Sequence, residues 1–272
     1  MKREDIRICI LRVGGTNCDA ETKTALEDLG VKAEVLHVNK VVKHRNIMNF
    51  DALVFPGGFS FGDYVRGGAI WANLMLAKLG MELKAYVEEE RPILGICNGF
   101  QVLVEAGFLP AFEGISPYPE AALASNQPPG YNCRWVYLKH ENHGKCVFTR
   151  KISRGKVLRM PIAHSEGRFL FAKEKERQYL DKLYRNDQLV FRYCTREGEY
   201  ADGRYPKNPN NSFHDIAGIC NPEGTVFGLM PHPERAFYWW QHPDWTRQTL
   251  MPQYGDGKLI FESLIEYLEE NF

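Results

Sequence analysis

The sequence contains 272 residues, 44% of them hydrophobic, and its 34 lysines and arginines balance its 34 aspartates and glutamates. This length and composition allow one large domain, residues 1–272, with a sizeable core. A net charge of zero provides no overall field that would attract a nucleic acid or an anionic membrane, so neither is expected as a partner.

The N-terminal residues do not resemble a targeting segment, and the cysteines do not form a disulfide or metal framework. A charged opening is followed by only about six apolar-rich residues before Arg12, which is too short for the core of a signal peptide. No stretch approaches the roughly 18 apolar residues of a membrane helix. The seven cysteines include no CxxC pair and no Cys/His ligand spacing. We therefore expect a cytoplasmic protein without a metal site.

The first part of the chain alternates predicted strands with predicted helices. The strands are apolar on both faces, and they lie at residues 6–11, 33–38, 52–58 and 92–96. The helices between and after them lie at residues 20–30, 67–90 and 98–107. This alternation is typical of a parallel sheet covered by helices on both sides. We predict an α/β fold with a doubly wound, largely parallel sheet.

The pattern changes after about residue 110. Residues 114–132 are rich in proline, serine, glycine and asparagine, which indicates a loop. Strand-like pieces separated by turn signals follow at residues 134–141, 146–149, 189–194, 216–221 and 225–230, and a helix is predicted at 258–272. The second half is therefore predicted to be a strand-rich continuation of the sheet.

Cys97 lies between two glycines, directly after the predicted strand 92–96. The sequence GICNG, residues 95–99, has the glycine spacing of the G-x-S-x-G nucleophile elbow, with sulfur in place of oxygen. Catalytic groups collect beyond the carboxyl ends of parallel strands, and the N-terminus of the following helix would favour a thiolate. A buried structural cysteine is the alternative, because this pattern alone is weak.

A catalytic cysteine needs a general base and a group that orients the base. His232 and Glu234 lie two residues apart in a PHPE sequence that follows the predicted strand 225–230, which places them at the same edge of the sheet as Cys97. His164, with Glu166 nearby, is a rival for the base. Its other interpretation is a polar turn that packs beside the site.

Another predicted strand ends in PGG, residues 56–58. Glycines at such an end can present bare backbone N–H groups to an oxyanion. The N–H groups of these two glycines, together with the N–H of Asn98, which follows the cysteine, are the candidate donors. Taken alone, PGG is only a turn, but its position complements the cysteine turn and the PHPE segment.

The three pieces PGG, GICNGFQ and HPE, in this order, resemble the class I, triad-type glutamine amidotransferases. Further stretches, including RVGGTNCD, MPIAHSEGRF and IAGICNPEGTVFGLMPHPERAF, extend the resemblance over nearly the whole chain. It implies a flavodoxin-like class I glutaminase fold and hydrolysis of the glutamine side-chain amide through a cysteine thioester. By position, Cys97 would be the nucleophile, His232 the base and acid, and Glu234 the residue that orients the histidine.

The resemblance also assigns the oxyanion donors to Gly58 and Asn98. Gln101, one helical turn beyond the cysteine, would contact the bound glutamine. No cofactor is implied for this chain itself.

The motifs are most similar to those of glutaminase subunits that work in purine biosynthesis. These subunits pass ammonia to a larger ATP-dependent synthase subunit, which converts formylglycinamide ribonucleotide to formylglycinamidine ribonucleotide. The implied partners are L-glutamine, that synthase subunit and a small accessory subunit, with ATP and Mg²⁺ in the synthase partner. The lack of a GxxxxGK[ST] loop agrees with this division of labour. The alternatives are a glutaminase subunit of another amidotransferase and a non-catalytic assembly subunit.

The C-terminal segment 236–272 is longer than the compact form of this family leads us to expect. It carries Trp239, Trp240 and Trp245. These aromatic side chains either cover the sheet edge or pack under the last helix, or they form a docking surface for the synthase subunit.

Overall fold

The computed structural model describes residues 1–247 and 252–272. The strands are β1 (Arg7–Arg12), β2 (Lys32–His37), β3 (Ala52–Phe55), β4 (Ile93–Ile96), β5 (Ala122–Ser125), β6 (Asn132–His140), β7 (Val157–His164), β8 (Glu166–Leu170), β9 (Leu189–Cys194), β10 (Ile216–Cys220) and β11 (Val226–Leu229). The helices are α1 (Asp19–Asp28), α2 (Val38–His44), α3 (Ala69–Glu88), α4 (Asn98–Glu105), α5 (Glu176–Arg185) and α6 (Lys258–Asn271).

A nine-stranded mixed sheet organises the chain, in the order β2-β1-β3-β4-β11-β10-β9-β6-β7. The first five strands of this order are parallel. Strands β3, β4 and β11 are buried at every residue, and since successive side chains point to opposite faces, both faces must be covered. The predicted α/β architecture, with helices on both sides of a parallel sheet, is confirmed.

The remaining strands are antiparallel to their neighbours, from β10 through β9 and β6 to β7. They form the strand-rich continuation that the sequence predicts. Strands β5 and β8 make a separate two-stranded antiparallel sheet. Among the described residues, no helix is both long and apolar enough to span a bilayer.

The edge strand β7 curls back to the parallel part of the sheet. The carbonyl of Pro161, in β7, accepts the N–H of His232 at 2.9 Å, although β7 and β11 are separated by three strands in the sheet order. The carbonyl of Ala163 lies 3.8 Å from the Cys97 sulfur. This curvature brings both halves of the sheet to one place.

Several local predictions are wrong. Residues 146–149 were predicted as strand-like, but Val147–Thr149 form a short 3-10 helix, because four residues cannot distinguish the two periodicities. The predicted loop 114–132 contains β5 and the start of β6. Helix α5 is not among the predicted elements, because six of its ten residues are polar and make the segment strongly hydrophilic, although Tyr179, Leu180, Leu183 and Tyr184 recur at helical spacing.

The aromatic C-terminal segment packs against the edge of the sheet. The ring of His242 lies 4.4 Å from that of Trp135 in β6 and 5.0 Å from that of Trp239. Arg159 of β7 donates its backbone N–H to Asp256, at 2.7 Å. The described part of this segment therefore covers the edge, although two of its three tryptophans remain exposed, Trp240 at 53% and Trp245 at 39%. Residues 248–251 of the predicted extension lie outside the described part of the chain.

Candidate active site

Cys97 occupies the turn between β4 and α4 in a strained backbone conformation. Its φ of 52° and ψ of −106° lie in a region that side-chain-bearing residues rarely adopt. Its N–H donates to Leu229 O of the neighbouring strand at 2.8 Å. A Cβ added at Gly95 would lie 2.7 Å from the carbonyl oxygen of Gly99, and one added at Gly99 would collide with Phe55 O. Both glycines are therefore required for the close approach that creates this turn.

His232 and Glu234 form a buried pair at the end of β11. The Nδ1 atom of His232 lies 2.6 Å from a carboxylate oxygen of Glu234, and both side chains are almost fully enclosed. Burial lowers the pKa of His232, but the negative charges of Glu234 and of Cys97 as a thiolate outweigh burial and raise this pKa well above its ordinary value. Since Nδ1 is bonded to the carboxylate, Nε2 is the nitrogen that can exchange a proton with a reacting group.

His164, the rival for the base, has a different environment. Its Nδ1 atom faces the side-chain amide of Asn126 at 3.2 Å rather than a carboxylate. Burial and the nearby His232 lower the pKa of His164 to about 3. A histidine with so low a pKa remains unprotonated at neutral pH, which makes it a poor general base or acid there. The structure therefore favours His232 as the base and places His164 beside the site.

The two candidate oxyanion donors lie at neighbouring turns. Gly58 lies in the turn after β3, where an added Cβ would lie only 2.6 Å from Gly15 O. In this turn the N–H of Phe59 donates to Gly15 O at 2.9 Å, and the N–H of Gly58 takes no part in that bond. Asn98 is the first residue of α4, where N–H groups have no acceptor within the helix. Gly58 and Cys97 line the same cavity.

Gln101 also lines this cavity, but its amide is already hydrogen-bonded. Its Oε1 accepts from Asn98 Nδ2 at 2.8 Å, and its Nε2 donates to Glu166 O at 2.6 Å. The carboxylate of Glu166 accepts the N–H of Gly67 at 2.8 Å. The turn between β7 and β8 is thus fastened across the mouth of the cavity, whose volume is only about 10 Å³. That is room for about one water molecule.

Comparison with known proteins agrees with this geometry. Residues 5–268 match the CobB/CobQ-like glutamine amidotransferase domain. The chain belongs to this glutamine amidotransferase family. It is 46% identical to the phosphoribosylformylglycinamidine synthase subunit PurQ of Archaeoglobus fulgidus, covering 99% of this chain and 100% of the relative. PurQ of Methanothrix thermoacetophila is 40% identical, with 97% and 99% covered.

A solved structure of PurLQS from Thermotoga maritima contains a similar chain. It superposes on this amidotransferase with a TM-score of 0.71 and 32% identity, covering 97% of this chain and 99% of that one. The family predicted from PGG, GICNGFQ and HPE is therefore confirmed, and so is its fold.

A second thiol of the amidotransferase, for which the sequence predicts no role, lies beside the histidine. The sulfur of Cys18 lies 3.8 Å from His232 Nδ1. Within the described residues, Cys18, His232 and Glu234 are the one group of potential metal ligands whose ligand atoms converge, within 4.8 Å. However, the guanidinium of Arg235 donates to the Cys18 sulfur at 3.2 Å, and burial raises the pKa of this thiol to about 11. A neighbouring cation and a protonated thiol both disfavour a metal ion.

Two buried asparagines support the turn over the cavity. Asn126 donates to His164 O at 2.9 Å and accepts the N–H of Gly167 at 3.1 Å, and Asn210 donates to Gly167 O at 2.7 Å. Asn126 lies in the stretch 114–132 that is predicted to be a loop, and the sequence predicts no role for Asn210. Asparagine side chains in loops often hydrogen-bond to backbone groups, but the sequence does not show which turn such a side chain stabilises.

Proposed function

We propose that this amidotransferase is the glutaminase subunit of a phosphoribosylformylglycinamidine synthase in purine biosynthesis, with Cys97, His232 and Glu234 as its catalytic triad. One observation carries the assignment of the residues: a cysteine on a strained strand-to-helix turn lies close enough to a buried histidine–carboxylate pair to raise the pKa of the histidine. The PurQ relatives and the PurLQS structure support the assignment of the reaction.

The chemistry follows from these groups. The Cys97 thiol gives its proton to His232 as its sulfur attacks the carbonyl carbon of the glutamine side chain. His232 then delivers this proton to the nitrogen as the C–N bond breaks, so ammonia leaves. A water molecule then loses a proton to His232 and attacks the thioester. The C–S bond breaks, glutamate is released, and the proton returns to the sulfur. Glu234 holds His232 with Nε2 facing this chemistry and stabilises its cationic form.

Each tetrahedral intermediate carries a negative oxygen. We assign its stabilisation to the N–H groups of Gly58 and Asn98, which lie at the two turns that border the cavity. Fixed donors of this kind need no reorganisation when the charge develops. Gln101 is assigned to the wall that the substrate contacts, and it must exchange its bond to Glu166 for one to glutamine.

The closed cavity supports dependence on a partner. The accessible volume of about 10 Å³ leaves little room for a glutamine side chain. We infer that the barrier formed by the contacts of Glu166 with Gln101 and Gly67 opens before turnover. We propose that docking of the larger synthase subunit opens it, and that ATP and Mg²⁺ act in that partner. A small accessory subunit completes the proposed complex. Gating of this kind prevents glutamine from being consumed without an acceptor for its ammonia.

We propose a cytoplasmic location for this complex. All seven cysteines of the chain are free thiols, and Cys133 is exposed. Unpaired thiols of this number fit a reducing compartment.

The test measures glutamate released from glutamine by the chain alone and with a purified synthase subunit. We expect weak activity alone, stimulation by the synthase, and loss of activity in Cys97→Ala. Cys194→Ala is the matched control, because this thiol is also buried but does not line the cavity. Activity that survives in Cys97→Ala would disprove the assignment of the nucleophile. Full activity without any partner would disprove the gating.

A further inference from the structure

A buried imidazole nitrogen that the mechanism above does not use belongs to a residue on the wall of the cavity. His164 is only 3% exposed and lines the cavity together with Cys97 and Gln101. Its Nε2 atom is buried, and none of the described residues hydrogen-bonds to it. An unpaired buried polar atom is costly, and because His164 lines the cavity, a molecule bound there can supply the partner of Nε2.

The bonds of Asn126 fix the tautomer of this histidine. Asn126 Nδ2 faces two carbonyl oxygens, those of Gly130 at 3.0 Å and His164 at 2.9 Å, so this end of the amide must carry the hydrogens. The other end accepts the N–H of Gly167 at 3.1 Å, so it is the oxygen. That oxygen also faces His164 Nδ1 at 3.2 Å. Nδ1 therefore carries the ring proton, and Nε2 presents a lone pair.

The surroundings keep the ring neutral and in place. Burial, together with the positive charge of His232, lowers the pKa of His164 to about 3. Gly167 packs directly on the ring, since a Cβ there would lie 2.5 Å from Nδ1. Nε2 is thus a fixed acceptor that does not become a donor at neutral pH.

We propose that His164 Nε2 accepts an N–H of the glutamine carboxamide, and that this bond selects the amide substrate over the carboxylate product. The inference deepens the proposed glutaminase function and rests on it. An amide nitrogen has two hydrogens to donate, whereas a glutamate carboxylate would place an oxygen lone pair against that of Nε2. A buried acceptor binds a ligand without a matching donor much more weakly. Glutamate, which cannot form this hydrogen bond, should therefore dissociate more readily than glutamine.

Two variants of His164 separate this role from a structural one. In His164→Asn the short amide can still donate to Asn126, but nothing occupies the position of Nε2. In His164→Gln the longer side chain can place its oxygen there. We expect His164→Asn to raise the KM for glutamine about tenfold or more and to strengthen inhibition by glutamate relative to glutamine binding. We expect His164→Gln to remain within about threefold of wild type.

The kinetic assay uses the chain with its synthase subunit, and thermal unfolding checks that both variants fold. Wild-type values in His164→Asn, or equal losses in both variants, would overturn the inference. A measurement on the unreactive Cys97→Ala protein, bound to its synthase subunit and saturated with glutamine, does not depend on either variant. The ¹⁵N resonance of His164 Nε2 should be that of an unprotonated nitrogen and should shift on adding glutamine but not glutamate. A protonated Nε2, or equal shifts with both, would overturn it.

The two proposals fail separately. A Cys97→Ala protein that still hydrolyses glutamine refutes the glutaminase triad. An inactive Cys97→Ala protein whose His164 resonance ignores glutamine refutes only the role of His164.

Discussion

Replacing Gly95 by alanine tests the claim that the nucleophile turn depends on close backbone packing. The added Cβ would lie 2.6 Å from Leu103 Cδ1 and 2.7 Å from Gly99 O. The leucine side chain can rotate away, but the Gly99 carbonyl belongs to the first turn of α4. The backbone there must retreat by about half an ångström or more, because non-bonded carbon contacts are favourable only near 3.5 Å.

This displacement sets the size of the effect. Overpacking of this kind costs about 1–3 kcal/mol of the free energy of unfolding. Gly99 lies two residues beyond Cys97, so the shift also moves the sulfur relative to its partners. A misplacement of 1 Å can cost about a hundredfold in rate, so half of that predicts a loss of roughly tenfold in kcat/KM.

Gly80 provides the matched control. It lies in α3, and a Cβ there would meet nothing within 4 Å. Gly80→Ala should therefore leave activity unchanged and stabilise the protein by about 0.5–1 kcal/mol. Urea unfolding gives the free energies, and partner-stimulated glutamate release gives the rates. If Gly95→Ala behaved like Gly80→Ala in both assays, the reasoning about the turn would be refuted.

Two further predictions concern the charges and thiols of the site. Glu234→Gln removes a negative charge that raises the pKa of His232 in the folded protein. The decrease in the free energy of unfolding in this variant should therefore be greatest below about pH 6.5, where His232 is protonated in both the folded and the unfolded wild type. The decrease should become smaller as the pH rises through the folded-state pKa. Urea unfolding across this range checks the sign, and a deficit that grows with pH would contradict it. A glutamine-like electrophile should label Cys97 before the other six thiols, measured by peptide mass spectrometry, since burial raises the pKa of Cys18 to about 11. The exposed Cys133 is the internal control, and equal labelling of it would contradict recognition of the reagent.

The parallel half of the fold could be predicted because its signals are local. Strands β1, β3 and β4 are short and largely apolar, and glycine or proline lies close to one or both ends of each. The rule that catalytic groups gather at carboxyl ends then brings Cys97 and His232 together without any coordinates. Their separation of more than a hundred residues along the chain does not weaken this argument, because it depends only on strand order and direction.

The other wall of the site could not be predicted in the same way. It is built by β7, which reaches Cys97 only because the antiparallel half of the sheet curls, and curvature is a property of the whole sheet. The sequence therefore left His164 between two interpretations. Asn126 and Asn210 were hidden for the same reason, since they act by holding a turn whose position was unknown.

Closure of the cavity also has a measurable thermodynamic consequence. Two hydrogen bonds tie Glu166 to the opposite side of the cavity, from Gln101 Nε2 to Glu166 O and from Gly67 N–H to the Glu166 carboxylate. Opening breaks these two bonds, while the bonds of Asn126 and Asn210 stay intact. Each broken bond contributes about 0.5–1.5 kcal/mol net, so opening costs roughly 1–3 kcal/mol. The open form is then about 1–20% of the isolated chain, and the apparent affinity for glutamine falls by that fraction. A partner that binds the open form removes this cost, which is why stimulation by the synthase should appear chiefly as a lower KM for glutamine.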